Sequence, residues 1–136
     1  MSTVQNSTAV RNAMLDAWEA AMGPGVRIRM YTGALPANCV AAETGTLLAE
    51  WVLASDYAPD AANGVKTLSS TPIQVVALND GTVAHYRIYN AAGTVCHEQG
   101  SVTATGGGGD TTIDSTLVTN GQKVNLTGWS RTAAGA

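Results

Sequence analysis

Two histidines, two cysteines and a run of four glycines are the parts of this 136-residue chain best suited to chemistry. His85 and His97 flank the turn-forming segment Asn90-Ala91-Ala92-Gly93, with Cys96 and Glu98 on either side of the second histidine. A hairpin there would bring the imidazoles near each other, and imidazole, thiolate and carboxylate together make up the ligand set of a zinc site. The strand pairing argues against that use. With residue 89 opposite residue 94, His85 faces Glu98 and His97 faces Tyr86. Neighbours along a strand point to opposite sides, so Cys96 and His97 do not share a ligand cluster. Neither a CxxC nor a helical HxxxH spacing is present. Cross-strand pairing is the expectation for these residues, with no metal and no other cofactor.

Gly106 to Gly109 resembles a phosphate cradle only in composition. Such cradles need a following helix whose amides point at the ligand, and usually a lysine. Here Asp110-Thr111-Thr112-Ile113 follows and reads as a strand. The run is expected to be a flexible link, with Gly107 and Gly108 as candidate contact points on a neighbour. No serine stands in a GxSxG elbow, and no Asp and His spacing supplies an oriented base. Asp56, Asp60, Asp80, Asp110 and Asp114 lie in or near turns, where capping accounts for them. The chain is therefore expected not to be an enzyme. Cys39 and Cys96 are expected as free thiols, because two cysteines in a chain of this length do not make a disulfide scaffold.

The elements that position these residues follow from periodicity. Ser7 or Thr8 caps a helix over 8–22, in which Val10, Met14, Trp18 and Met22 recur every four positions and Arg11, Asn12, Asp16 and Glu19 occupy the other side. Gly23-Pro24-Gly25 ends it. The period then changes to two, and Val26, Ile28 and Met30 alternate with Arg27, Arg29 and Tyr31 in a first strand. A second extended segment runs from Thr46 to Leu53, with Leu47, Ala49, Trp51 and Leu53 inward. Residues 55–70 carry Asp56, Pro59, Asp60, Asn63 and Gly64 and read as a loop. Pro72 to Leu78, Thr82 to Tyr89 and Thr94 to Thr103 follow as strands joined by two hairpin turns, and a last hairpin turns at Asn120-Gly121. The sum is a mainly β, single-domain chain over 1–136. It is expected as an antiparallel sandwich or jelly-roll-like barrel of about seven strands over 26–131, with one N-terminal amphipathic helix and a possible arm at 1–7.

Composition narrows the partners. Seven basic and ten acidic residues give a net charge of -3 with only 12% of positions charged, so the surface is quiet and easily buried against other proteins. The basic residues are scattered, which excludes a phosphate-binding patch and direct nucleic-acid binding. No apolar stretch approaches the roughly 20 residues of a membrane span, and the N-terminus carries no signal-like core, so no membrane partner is expected. With Phe absent, Trp and Tyr must fill volume. Trp51 belongs to the core by its alternation, while Trp18, Trp129 and Tyr57 are the aromatic candidates for partner contact.

The order of features resembles small virion structural proteins of tailed bacteriophages. It comprises the helix in STAVRNAMLDAWEAAMG, the strand ending in RIRMYTGALPA, the hairpin in HYRIYNAAGTVCHEQGSV and a closing glycine-rich hairpin, and the resemblance spans nearly the whole chain. It implies a capsid decoration or cement protein, made in the bacterial host cytoplasm and carried on the virion. It also implies a homo-oligomer, with a trimer favoured, bound to the major capsid protein or other virion proteins. A tail or head-tail connector component is the alternative within that setting. Outside it, the alternative is a carbohydrate- or surface-binding β-sandwich module that stacks sugars on Trp129 or Tyr57.

Overall fold

Ser7 starts the helix. Its hydroxyl accepts the Val10 amide at 3.2 Å, satisfying one of the donors left without a partner at a helix start, and α1 runs Thr8–Met22. Gly23 closes it in a positive-φ conformation open to glycine, donating its amide to the Glu19 carbonyl. The computed structural model describes residues 4–69 and 71–133, so residues 1–3 of the expected arm lie outside the described residues.

Strands follow as β1 Arg27–Tyr31, β2 Leu47–Val52, β3 Val65–Thr67, β4 Ile73–Val76, β5 Gly81–Thr82, β6 His85–Tyr89, β7 Cys96–Ala104, β8 Thr111–Ile113, β9 Leu117–Val118 and β10 Lys123–Thr132. Seven of them form one path in the order β2-β1-β6-β7-β8-β10-β3, β4 pairs with β10 as well, and β5 and β9 make a small ladder apart. The mixed sheet curls into a half-barrel, so the chain is mainly β with a single N-terminal helix, as its periodicity indicates. Ile28, Met30, Trp51, Tyr86, Ile88, Ile113 and Leu126 fill the concave side. The curl draws the two flanks together: Trp51 Nε1 donates to the Ile73 carbonyl at 2.8 Å, and the Leu78 amide donates to the Leu48 carbonyl at 2.8 Å.

Several pairings depart from expectation, each for a local reason. A bulge between Met30 and Tyr31 sets Tyr31 opposite Leu47, so Leu48 takes the buried place expected of Leu47. A second bulge sets Tyr89 opposite Cys96, not residue 94, so His85 faces Ser101 and Ile88 faces Glu98. Asn79-Asp80-Gly81 does not close a hairpin, because β4 pairs with the distant β10 and Asp80 instead accepts the Asn120 amide at 2.7 Å. The Asn120-Gly121 turn forms, but Leu117–Val118 pairs with β5 and not with β10. Segment 55–70 contains β3, whose buried member is Lys66.

The glycine run is the largest correction. β7 and β8 are neighbours and run parallel, joined by residues 105–110 alone, whereas parallel neighbours ordinarily need a crossover of a dozen or more residues. Gly106 and Gly108 adopt φ of +88° and +82°, and the chain folds back so closely that a Cβ at Gly109 would lie 2.8 Å from the Thr103 amide nitrogen. The segment is a tight, hydrogen-bonded return, with the Gly109 amide donating to Thr103 Oγ1 at 2.9 Å, and it is not a flexible link.

Candidate functional site

The residues apt for chemistry gather on the convex face of the sheet, under a strap. Residues 32–46 connect β1 to β2, and their ends are tied where the Thr32 amide donates to the Thr46 carbonyl and the Thr46 amide donates to Thr32 Oγ1. Alternation along β6 sends His85, Arg87 and Tyr89 to this face, and the strap lies over them. His85 Nδ1 meets the Gly33 carbonyl at 3.0 Å. Gln99 Nε2 donates to the Pro36 carbonyl at 2.7 Å. Arg87 Nη2 donates to the carbonyls of Cys39 at 2.8 Å and Ala41 at 2.9 Å, while its Nη1 donates to the Tyr89 hydroxyl at 3.1 Å. Glu43 accepts from the hydroxyls of both Tyr31 and Tyr89. Burial pushes both phenols above their usual value. His85 and Arg87 are each 1% exposed, so the strap covers the middle of this polar layer, while Glu43 at its edge is exposed. Its hydrogen bonds hold the strap against the sheet.

His97 is exposed and remote in role from buried His85, and among the described residues no group of three or more His, Cys, Asp or Glu is placed to hold a metal. Cys39 and Cys96 are both free and half-buried.

On the concave side a second polar cluster stands where α1 meets the sheet. Tyr86 donates to Glu98 at 2.5 Å, and Arg131 pairs with both. Trp129 lies beneath the Arg131 guanidinium and stacks on Trp18 with ring centroids 4.8 Å apart. Trp129 and Tyr57, each 4% exposed, are therefore core residues and present no ring to a partner. This removes the platform on which sugar stacking would depend. Trp18 is half-buried in the same stack, and Gly107 and Gly108 are at the surface. Two clefts open nearby. One, of about 420 Å³, runs past Thr112, Thr127, Gly109 and Asp110. Its one carboxylate already accepts the Ser101 amide and hydroxyl, both at 3.0 Å. The other, of about 300 Å³, is bordered by Asp16, Glu19 and Asp60, of which the first two hold Lys66.

The helix presents the surface that the sequence reading missed. A strict four-residue repeat advances 400°, so a stripe drawn through Val10, Met14, Trp18 and Met22 winds about 120° around the helix. It starts in solvent and ends in the core: Val10 and Met14 are 45% and 50% exposed, whereas Met22 is buried. The polar side is what docks. Asn12 accepts the Gly64 amide at 2.8 Å and Asp16 accepts the Ala61 amide at 2.9 Å. Glu19 and Asp16 hold the buried Lys66 ammonium at 2.6 and 2.9 Å. The Arg11 guanidinium lies over Gly64, so close that a Cβ there would meet it. What remains outward is Ala9, Val10, Ala13, Met14, Ala17, Ala20 and Ala21, one contiguous arc without a charge or a polar side chain. Alanine's weak hydrophobic signal hides this arc in the sequence, where the larger residues draw the stripe.

Comparison with protein-family models, with curated proteins and with solved structures finds no match to this chain.

Proposed function

We propose that this chain is a non-enzymatic assembly subunit that meets its neighbours through the outer face of α1. The observation carrying this reading is the uncharged arc from Ala9 to Ala21, on a helix whose three charged residues, Arg11, Asp16 and Glu19, are all engaged with its own domain. A solvent-facing helix side ordinarily carries the charges, and a contiguous apolar face marks a protein contact. Its small residues allow a facing helix to approach to the short end of ordinary interaxial distances, about 8 Å. A second copy is the first partner to expect. Its arc is equally uncharged, and α1 has no acidic residue in its first turn and no basic residue in its last, so an antiparallel copy would complement both helix ends.

The feature order of the sequence supports a setting for this behaviour, a tailed-phage virion in which the chain acts as a decoration or cement protein on the major capsid protein. Weak contacts repeated by symmetry then add through avidity and stabilise the lattice that they bind. The test is sedimentation velocity over a wide concentration range, comparing the natural chain with a double variant, Met14→Glu with Ala17→Glu. The natural chain is expected to sediment as an oligomer and the variant as a monomer with an unchanged circular dichroism spectrum. Both positions are exposed, so folding is spared. A natural chain that remains monomeric throughout, and that leaves sites empty on particles lacking it, overturns the proposal.

A further inference from the structure

The two thiols lie on the convex face, away from α1, and what joins them does not depend on how the helix is used. Cys39 is in the strap, fixed where its carbonyl accepts Arg87 Nη2 at 2.8 Å. Cys96 opens β7 opposite Tyr89, two residues beyond Arg87 on β6, so Arg87, Tyr89 and Cys96 share the face that the strap covers. The guanidinium, which also donates to the Tyr89 hydroxyl, therefore ties the Cys39 backbone to the face that carries Cys96, and Cys39 lies close enough to Cys96 to raise its thiol value. Cys96 also donates to the Glu98 carbonyl at 3.4 Å, which fixes its side chain. Neither sulfur is fully enclosed. We propose that Cys39 and Cys96 form a reversible disulfide site that staples the strap to β7 when a small-molecule disulfide or an equivalent oxidant is present.

The chemistry balances by exchange. One cysteine thiolate attacks a small disulfide RSSR and releases RS⁻, forming a mixed disulfide on the protein. The other thiolate then attacks the protein sulfur of that adduct and releases the second RS⁻. The chain loses two thiol hydrogens and gains one sulfur–sulfur bond, while RSSR is reduced to two RSH. Burial, and then the neighbouring Cys39, push the Cys96 thiol up to about 11. Cys96 thiolate is accordingly scarce at neutral pH, and its exchange accelerates as the medium becomes alkaline. A reducing compartment keeps the pair open and an oxidising one closes it. The consequence is mechanical, because a strap held by hydrogen bonds becomes one held covalently across a long loop of chain.

The full chain is to be incubated with oxidised glutathione at pH 7 and at pH 9 and then mapped by peptide mass spectrometry without reduction. The proposal expects a linked peptide pair containing Cys39 and Cys96 and a mass loss of about 2 Da. It also expects faster closure at pH 9, reversal by dithiothreitol, and a melting temperature about 5 °C higher in the oxidised chain. Cys39→Ser and Cys96→Ser should each retain a glutathione adduct on the remaining cysteine, the intermediate that the natural chain resolves. Persistent glutathione adducts on the natural chain, disulfide-linked dimers as the main product, or two thiols still titratable at pH 9 would each overturn it.

Discussion

Arg87 shows what one side chain does at this convex face. The residue is 1% exposed, yet no carboxylate among the described residues forms an ion pair with it; its Nη groups donate to strap carbonyls and to the Tyr89 hydroxyl, while its Nε finds no partner among the described residues. A planar fork with fixed donor directions suits that arrangement, and a lysine ammonium does not reproduce it. Arg87→Met keeps much of the apolar volume but leaves the carbonyls of Cys39 and Ala41 without a donor. Charged hydrogen bonds contribute about 1.5 to 3 kcal/mol each, so the variant is expected to lose about 3 kcal/mol of stability in denaturant titration. Because the orphaned carbonyls can recover their bonds only from water, the strap should lift. Limited proteolysis is then expected to cut within residues 32–46 of the variant and not of the natural chain. Equal resistance in both would mean that the strap is held by something other than Arg87. In the sequence, Arg87 stands in the alternation of HYRIY as one more residue on a wet face. Its burial follows from the strap, a chain segment whose path no local pattern records.

Among the elements, α1 was legible in extent and illegible in orientation. A serine cap and a glycine stop bound it at Thr8–Met22, and these are local signals. Its rotation depends on Lys66, 47 residues downstream of Glu19, which draws the acidic side inward. The link between β7 and β8 is a similar case. Four consecutive glycines read as slack chain, but here each position has its own constraint. Gly106→Ala meets open space, and its cost is the left-handed backbone alone, about 1 kcal/mol. Gly109→Ala drives a methyl group against the backbone nitrogen and side chain of Thr103, at 2.8 to 2.9 Å, and the return must shift. That variant is expected to lose about 2 to 3 kcal/mol, the scale of an overpacked site. Thermal melts of the two variants test the order. A Gly109→Ala chain as stable as Gly106→Ala would mean that the return is loose after all.

For the molecule as a whole, strand alternation and turn chemistry made the class of fold legible. The last hairpin was legible in part, since β8 does pair with β10, but they could not specify the pairing of β10 with β3 and β4, because partners so far apart in sequence are selected by packing into the common core. That same packing sets how the molecule responds to pH. Asp16 is held below its usual value by the Ala61 amide and then Lys66, and Asp110 by the Ser101 amide. For Asp114, burial works the other way but is outweighed by the Asn125 side chain and amide. A carboxylate with a depressed folded value stabilises the fold fully above its unfolded value, about 3.9, and this contribution disappears as pH falls through the folded value. The four tyrosines act at the other end. Burial raises all of them, Tyr57 to about 12, so their contribution is complete below an unfolded value of about 10 and is lost as pH rises through the folded ones. The melting temperature is therefore expected to hold a plateau from about pH 5 to about pH 9, falling on the acid side below about pH 4 and on the alkaline side above about pH 10. Phenolate absorbance at 295 nm followed together with circular dichroism provides the sharper check. The folded chain should show almost no phenolate at pH 10.5, and the phenols should ionise only as the dichroism is lost. Phenolate that forms near pH 10 in a chain retaining its native spectrum would mean that these rings are open to water, and the closed strap and the α1-sheet junction described here would be wrong.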